Sequence, residues 1–414
     1  MSKTLFIMFY FPPFERVGGR RWAKHIKYLQ RQNMDFVVLA GDYTGYSPWI
    51  NDIETYKNKI ERIPVTVYYP YYKQKLPNGI FDKIRWKWSY YSTKRAEENY
   101  PGNFWDDSRG YEDMFLKKAR DIIKREGISH VCMSVGPFSY SGVLPKLKKE
   151  FKHLKISLDC RDYWNDGLDA ISENKKEYEL IKQQKVLNAV DLVLAPNSEM
   201  CRYFEQQFKK STYLLPHCID EEFQNISTEV NNNYKKDISF LYGGSLYNGM
   251  EKYILQLVEL LKEIENSGMK ACLKIRTMQP GYAAQLKKND INVEVKPLLP
   301  VNEFIQLALG VDILLLFRPD WSPNGFSSKF YEAIALRKPI VYFGPNGEVD
   351  QFIKSNKLGF SMNEHTVKEM AKRIIDNKTS GSIPDRTFLL SEHTFEFQTK
   401  KLVDLWNTYY NFEN

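Results

Sequence analysis

The sequence predicts an α/β protein built from two parallel-sheet units, and three observations point there. Short apolar runs of strand length alternate with stretches of helical period, as in TLFIMFY, a basic helix over about residues 20–31, then FVVLA. That rhythm makes a parallel sheet with helices on both faces. It halts in LPHCIDEEFQNISTEVNNNYKK, polar and Asn-rich after Asp220, and starts again at ISFLYG. The chain has 414 residues, beyond the ~250–300 at which a single core stops growing.

The first domain is therefore expected over residues 1–220, with strands TLFIMFY, FVVLA, HVCMSV, KISLD, DLVLA and TYLL. The second, over 221–395, carries ISFLYG, a helix near 249–265, ACLKIR, INVEV, a helix after Pro300, DILLLF, a helix from about Ser328, and PIVYF. Residues 65–109 break the rhythm and read as an irregular excursion rich in aromatic and basic side chains. Residues 396–414 read as a closing amphipathic helix with aromatics.

Composition removes several classes of function. The five cysteines are scattered and form no CxxC pair, so neither a disulfide framework nor a zinc site is indicated and a reducing cytoplasm fits. The six histidines show no metal-ligand spacing. The longest apolar runs are strand-length, well under the ~20 residues that span a bilayer. A net charge of +8 suits nucleic acid, an anionic membrane surface or phosphate-bearing ligands, but no nucleic-acid module is readable. The 68–95 stretch, where Trp86, Trp88, Tyr90 and Tyr91 interleave with Lys and Arg, has three readings: an acceptor lid, an interfacial membrane patch, or a packed excursion.

The segment with most chemistry is DILLLFRPDWSPNGFSSKFYEAIALRKPIVYF. A strand ends at Phe317, and Ser327, Ser328 and Lys329 open a helix, whose free amides suit a diphosphate. Lys329 is unfavourable for the helix dipole and favourable for a phosphate there. Glu332 can hold ribose hydroxyls or complement the dipole; it stands four residues after Ser328, one too many for a capping box. Gly243 and Gly244 end the first strand of the second domain, Arg276 ends ACLKIR and Arg318 follows DILLLF. Ligands bind at such strand ends, though either arginine can equally pair with a carboxylate. Gly18 and Gly19 follow the first strand and can simply make its turn. Asp159, Arg161 and Asp162 follow KISL, as a brace or as a ligand contact.

Ser-Lys-x-x-Glu-Ala-x-Ala-x-x-Lys-Pro-Ile, together with YFPP followed by Gly18, Gly19, Arg21 and Trp22, DCRDYW, and AVDLVLAPNSEM before LLPHCIDEEF, resembles in collinear order the bacterial members of glycosyltransferase family 4. These are retaining enzymes of the GT-B architecture. The resemblance implies two Rossmann-like domains facing across a cleft, with the C-terminal helix crossing back to the first. It implies a nucleotide-sugar co-substrate, UDP- or GDP-linked, with no other cofactor and no metal. It implies a glycan or lipid-linked oligosaccharide acceptor in cell-surface polysaccharide biosynthesis; a cytoplasmic protein, with peripheral contact at the inner membrane face, is the expectation from its cysteines, its charge and the 68–95 stretch. Donor binding falls to Gly243, Gly244, Arg276, Ser327, Ser328, Lys329 and Glu332. The acceptor side falls to Gly18, Gly19, Arg21, Arg161 and Asp162, and catalysis to Lys329, Arg276 and Asp162. The pattern departs from the family at Asn324, where many members carry Glu, and at Ser245 and Asn248, where many carry Arg and Lys. A sugar-nucleotide epimerase of the same architecture and a non-catalytic nucleotide-sugar-binding scaffold remain as alternatives.

Overall fold

The structure is a computed structural model. It describes residues 3–14, 17–43, 50–74, 76–164, 171–219, 221–223, 237–246, 249–277, 286, 289, 291–320, 325–363, 366–380 and 387–411. Most of the linker after Asp220, and Asn248 and Asn324, lie outside the described residues. The chain forms two compact units, Met1–Leu215 with Thr399–Asn414, and Pro216–Gln398.

In the first unit, seven parallel strands lie in the order β3-β2-β1-β4-β5-β6-β7. They are β1 (Thr4–Met8), β2 (Phe36–Asp42), β3 (Ile60–Pro64), β4 (His130–Val135), β5 (Lys155–Cys160), β6 (Leu192–Ala195) and β7 (Ser211–Leu214). β1 and β4 are buried at every position, as strands covered on both faces must be. Helix α1 (Val17–Arg31) turns Trp22, Ala23, Ile26 and Leu29 onto one face of the sheet, where Leu402, Trp406 and Tyr410 of the Phe395–Tyr410 helix join them. The opposite face is covered by Phe115, Ala119, Ile122 and Ile123 of the Glu112–Glu126 helix.

One strand is added to the expected set for this unit, and one expectation is corrected. Ile60–Pro64 is an edge strand, and Pro64, with no N–H to give, ends it. Residues 65–109 are not irregular: they hold a short helix, Tyr71–Gln74, and then twenty residues of continuous helix, α3 (Ile80–Asn99). No Gly or Pro interrupts Ile80–Asn99.

His130 sits at the centre of this unit with no exposed surface. Its ring nitrogens face Thr4 Oγ1 at 3.1 Å and Ser157 Oγ at 3.0 Å. Burial pushes its pKa down to about 3. The unfolded chain then binds the proton first, so the stability His130 confers is whole above about pH 6.5 and is lost as pH falls toward 3. By pH 4.5 the loss should reach about 3 kcal/mol. His130→Gln, which can still bond both hydroxyls, should flatten the fall in melting temperature between about pH 7 and 4.5; an unchanged slope would assign the acid sensitivity elsewhere.

The second unit repeats the plan with six parallel strands in the order β10-β9-β8-β11-β12-β13. They are β8 (Asp237–Gly243), β9 (Lys270–Arg276), β10 (Val293–Lys296), β11 (Ile313–Phe317), β12 (Ile340–Phe343) and β13 (Gly359–Ser361). Helix α8 (Glu251–Asn266) buries Tyr253, Leu257, Leu261 and Ile264 on one face. Phe330, Ile334 and Ile353 cover the other. In both sheets the strand order reverses beside the first strand, between β1 and β4 and between β8 and β11. Ligands bind at the carboxyl ends of strands flanking such a reversal.

Candidate functional site

In the second unit the reversal is where the conspicuous residues meet. β8 ends at Gly243, β11 ends at Phe317, and the helix that follows β11 is Ser328–Ala335. Ser327 precedes it with extended backbone, φ −80° and ψ 162°, and its hydroxyl makes no capping bond. Among the described residues, the first amide of this turn to find a backbone acceptor is that of Phe330, bonded to Ser327 O at 3.0 Å. Among the described residues the amides of Ser328 and Lys329 find no acceptor, which is what an anion needs at a helix N-terminus.

Lys329 lies across Gly244. A Cβ at that glycine would stand 2.0 Å from Lys329 Cε, so any side chain there would evict the lysine. Gly243 is equally constrained, since a Cβ would meet the Phe304 ring at 2.4 Å. Lys329 and Glu332 line one small cavity with Gly243 and Phe304. Among the described residues Lys329 has no ion-pair partner.

Arg276 stands beside them along the backbone: it lies opposite Gly243, and the Gly244 amide donates to its carbonyl at 2.8 Å. It is buried, and its guanidinium is ion-paired with Glu294 on the neighbouring strand. Glu294 also pairs with Lys296 at 2.9 Å, and the two cations pull its pKa down to about 2, Lys296 contributing most. Arg276, expected to serve the donor and catalysis, thus engages its guanidinium with a carboxylate that it shares with Lys296. Arg318 is half-buried, its amide bonded to Phe343 O at 2.8 Å.

In the first unit, Gly18 and Gly19 lie inside the first turn of α1, not in a loop before it. A Cβ on Gly18 would collide with the Arg161 guanidinium at 1.6 Å, and one on Gly19 would press the Phe11 backbone at 3.1 Å. Arg161 donates to Gly136 O just after β4. Asp162 is exposed, and its Oδ2 lies 3.0 Å from the place a Gly136 Cβ would take. Gly18, Gly136, Arg161 and Asp162 therefore converge at the β1/β4 reversal. Arg21 does not belong there. It is 3 % exposed and ion-paired at 2.7 Å with Asp159, which is 0 % exposed. Asp159 also accepts from Trp22 Nε1 and Ser134 Oγ, each at 2.7 Å. That pair is an internal brace, and Arg21 is corrected from acceptor contact to structural residue.

Sequence reasoning passed over one group entirely. A cleft of about 210 Å³ is lined by Tyr68, Trp105, Asp106, Asp107, Arg109 and Tyr111, among others. Asp106 anchors its wall by accepting from the amides of Phe138 at 2.7 Å and Ser139 at 3.1 Å, after β4. Asp107 accepts from the Tyr10 hydroxyl, after β1. The guanidinium of Arg109 stacks 3.6 Å from the Phe104 ring centre. Rings beside carboxylates and an arginine can stack on a sugar and bond its hydroxyls. The signal was the run NFWDDSRGY, which has no period and so gave no handle.

Among the described residues no three His, Cys, Asp or Glu side chains gather to hold a metal ion. No helix among them is long and apolar enough to cross a membrane.

Two Rossmann-like domains in one chain define the GT-B fold, and solved structures match it over their whole length. A glycosyltransferase from Rickettsia africae ESF-5 is 13% identical, with 100% of each chain covered and a TM-score of 0.64. The lipopolysaccharide outer core galactosyltransferase WaaB, in its apo form, is 12% identical over 98% of this chain and 99% of that one, with a TM-score of 0.59. The UDP-GlcNAc 2-epimerase from Neisseria meningitidis, bound to UDP-GlcNAc, is 11% identical over 98% of this chain and 100% of the other, with a TM-score of 0.54. At these identities the likeness is one of fold. No protein-family profile and no curated protein sequence matches the chain.

Proposed function

We propose that this protein is a retaining glycosyltransferase that moves a sugar from a nucleotide-sugar donor, UDP- or GDP-linked, to a glycan or lipid-linked oligosaccharide in cell-surface polysaccharide synthesis. The reading rests above all on the second unit's strand reversal, where a helix N-terminus without a side-chain cap and Lys329, laid over Gly244 and without an ion-pair partner among the described residues, converge. In this proposal the open amides of Ser328 and Lys329 and the Lys329 ammonium hold the donor diphosphate, and Glu332 holds the ribose hydroxyls. The bond from the sugar's anomeric carbon to the phosphate oxygen breaks, and the bond to the acceptor oxygen forms on the same face. The acceptor's hydroxyl proton passes to the departing diphosphate, so no strong protein base is needed. Stabilising the charge on that leaving group is the main catalytic effect, and it falls to protein groups fixed in place beforehand.

The acceptor is assigned to the first unit, at Gly18, Gly136, Arg161 and Asp162 and in the Trp105–Asp107–Arg109 cleft. Gly18 and Gly136 make room for the Arg161 and Asp162 side chains, which supply a cation and an anion, and the aromatic cleft offers a sugar-stacking surface.

Calorimetric titration with UDP, GDP, ADP, CMP and dTDP tests the donor half. One nucleotide should bind well above the rest, and Glu332→Ala should weaken it by roughly 1–3 kcal/mol, the worth of a charged hydrogen bond. Binding to none of the five would sink the proposal. Because the same fold carries UDP-GlcNAc 2-epimerases, conversion of UDP-GlcNAc with no acceptor present would decide for epimerisation, and binding without turnover would decide for a scaffold.

A further inference from the structure

Helix α3 (Ile80–Asn99) leaves an arc of large apolar side chains on its outer side. Its buried residues are Ser89 and Thr93. Both are bonded: the Ser89 hydroxyl accepts from the Tyr72 amide at 3.3 Å, and Thr93 Oγ1 meets the Tyr68 hydroxyl at 3.0 Å. Asp82, on the same side, accepts from the Tyr71 hydroxyl and the Asn78 amide. Trp86 and Tyr90 are half-buried on this inner side as well, stacked on each other with Trp86 Nε1 donating to Tyr72 O, while a second set of large apolar residues faces outward. Ile80 is 76 % exposed, Phe81 89 %, Ile84 62 %, Trp88 73 % and Tyr91 65 %. At about 100° per residue these five fall within an arc of roughly 100°. Leu76, just before the helix, is 85 % exposed and lengthens the stripe.

One flank of the arc carries Lys83, Lys87 and Lys94, all exposed, and among the described residues none of the three has an ion-pair partner. Arg85 stands on the other flank, over the Tyr71 ring at 4.2 Å. At the far end Arg95 and Glu98 interrupt the arc, so the apolar surface belongs to the first three turns.

We propose that this face docks on an anionic lipid surface. A continuous apolar stripe of this kind marks an interaction site. Its chemistry selects the partner: Ile and Phe to enter the acyl boundary, Trp and Tyr to sit at headgroup depth, and lysines to reach lipid phosphates with their stems laid along the apolar surface. A second copy of the chain is the poorer occupant, because it would bring a second lysine rim to the same contact. The inference does not rest on the transferase reading and survives its failure.

The test is co-sedimentation of the full chain with vesicles of phosphatidylcholine alone or mixed with phosphatidylglycerol. The protein should sediment with the mixed vesicles and not with phosphatidylcholine alone, and added salt should release it as it screens the lysines. Phe81→Glu with Trp88→Glu should lower partitioning at least ~tenfold. Lys83→Glu with Lys87→Glu should weaken it and reduce its salt dependence. All four residues are exposed, so melting temperature should not move and serves as the control for folding. Failure of the native chain to sediment with mixed vesicles, or equal sedimentation of Phe81→Glu/Trp88→Glu, would overturn the proposal. So would light scattering that shows a dimer dissolved by that same variant, which would make the face a contact between copies.

Discussion

Replacing Asp159 by alanine should destabilise the first unit by roughly 3–5 kcal/mol, the cost of leaving one partner of a buried ion pair alone. The carboxylate is wholly buried and holds three groups at 2.7 Å: Arg21 Nη1, Trp22 Nε1 and Ser134 Oγ. Its loss strands a charge and two donors where water does not reach. Arg21 keeps one partner, the carbonyl of Leu215, which tempers the cost without removing it. Against a domain stability of about 5–15 kcal/mol, such a loss is large. Urea unfolding measures it, read as the transition of the first unit because two units need not unfold as one. Pairing Arg21→Met with Asp159→Asn should recover over half the loss, since the stranded charge is then gone while an acceptor for Trp22 and Ser134 remains. A cost under ~1 kcal/mol for Asp159→Ala would mean that water hydrates Arg21, contrary to its burial.

That brace also marks how far sequence reasoning reaches. DCRDYW announces charged groups at a strand end, but not which of them turns inward. Arg21 and Asp159 are 138 residues apart, one on α1 and the other on β5, and only the tertiary fold brings them together. The ion pair of Arg276 escaped for the same reason. Its partner Glu294 stands on β10, where Arg276 lies opposite Lys296; no reading of ACLKIR alone reveals that neighbour. By contrast, Ser327, Ser328, Lys329 and Glu332 are contiguous on one helix end, so their spacing sets their geometry before any tertiary contact forms. The alternation of strand and helix was legible because strands buried on both faces must be apolar throughout. Helix α3 was not, because its largest apolar arc points away from the core and its inner side mixes Ser89 and Thr93 with Trp86 and Tyr90, so no single apolar face marks it. Ile60–Pro64 escaped because an edge strand, buried on few sides, needs no continuous apolar run.

Lys329→Ala should lower kcat by ~10²–10³, about 3–4 kcal/mol of transition-state stabilisation, while leaving the fold intact. Both halves follow from its position. As a cation in the first turn of a helix it opposes the dipole, and among the described residues it has no carboxylate to offset that. Its removal should therefore leave the melting temperature unchanged or slightly raised. A charge kept at a structural disadvantage points to a ligand that needs it, and the leaving diphosphate gains negative charge only as the sugar departs. The effect should accordingly fall on kcat more than on KM, measured with the nucleotide sugar that titration identifies. Gly244→Ala supplies an independent route to the same defect: a methyl there would stand 2.0 Å from Lys329 Cε, driving the ammonium off its place while keeping the residue. The two variants should share one kinetic signature, and the double variant should be little worse than either, since both disable one interaction. Should Lys329→Ala keep full turnover, the phosphate charge is met elsewhere, and Arg318, beside the end of β12, becomes the residue to replace next.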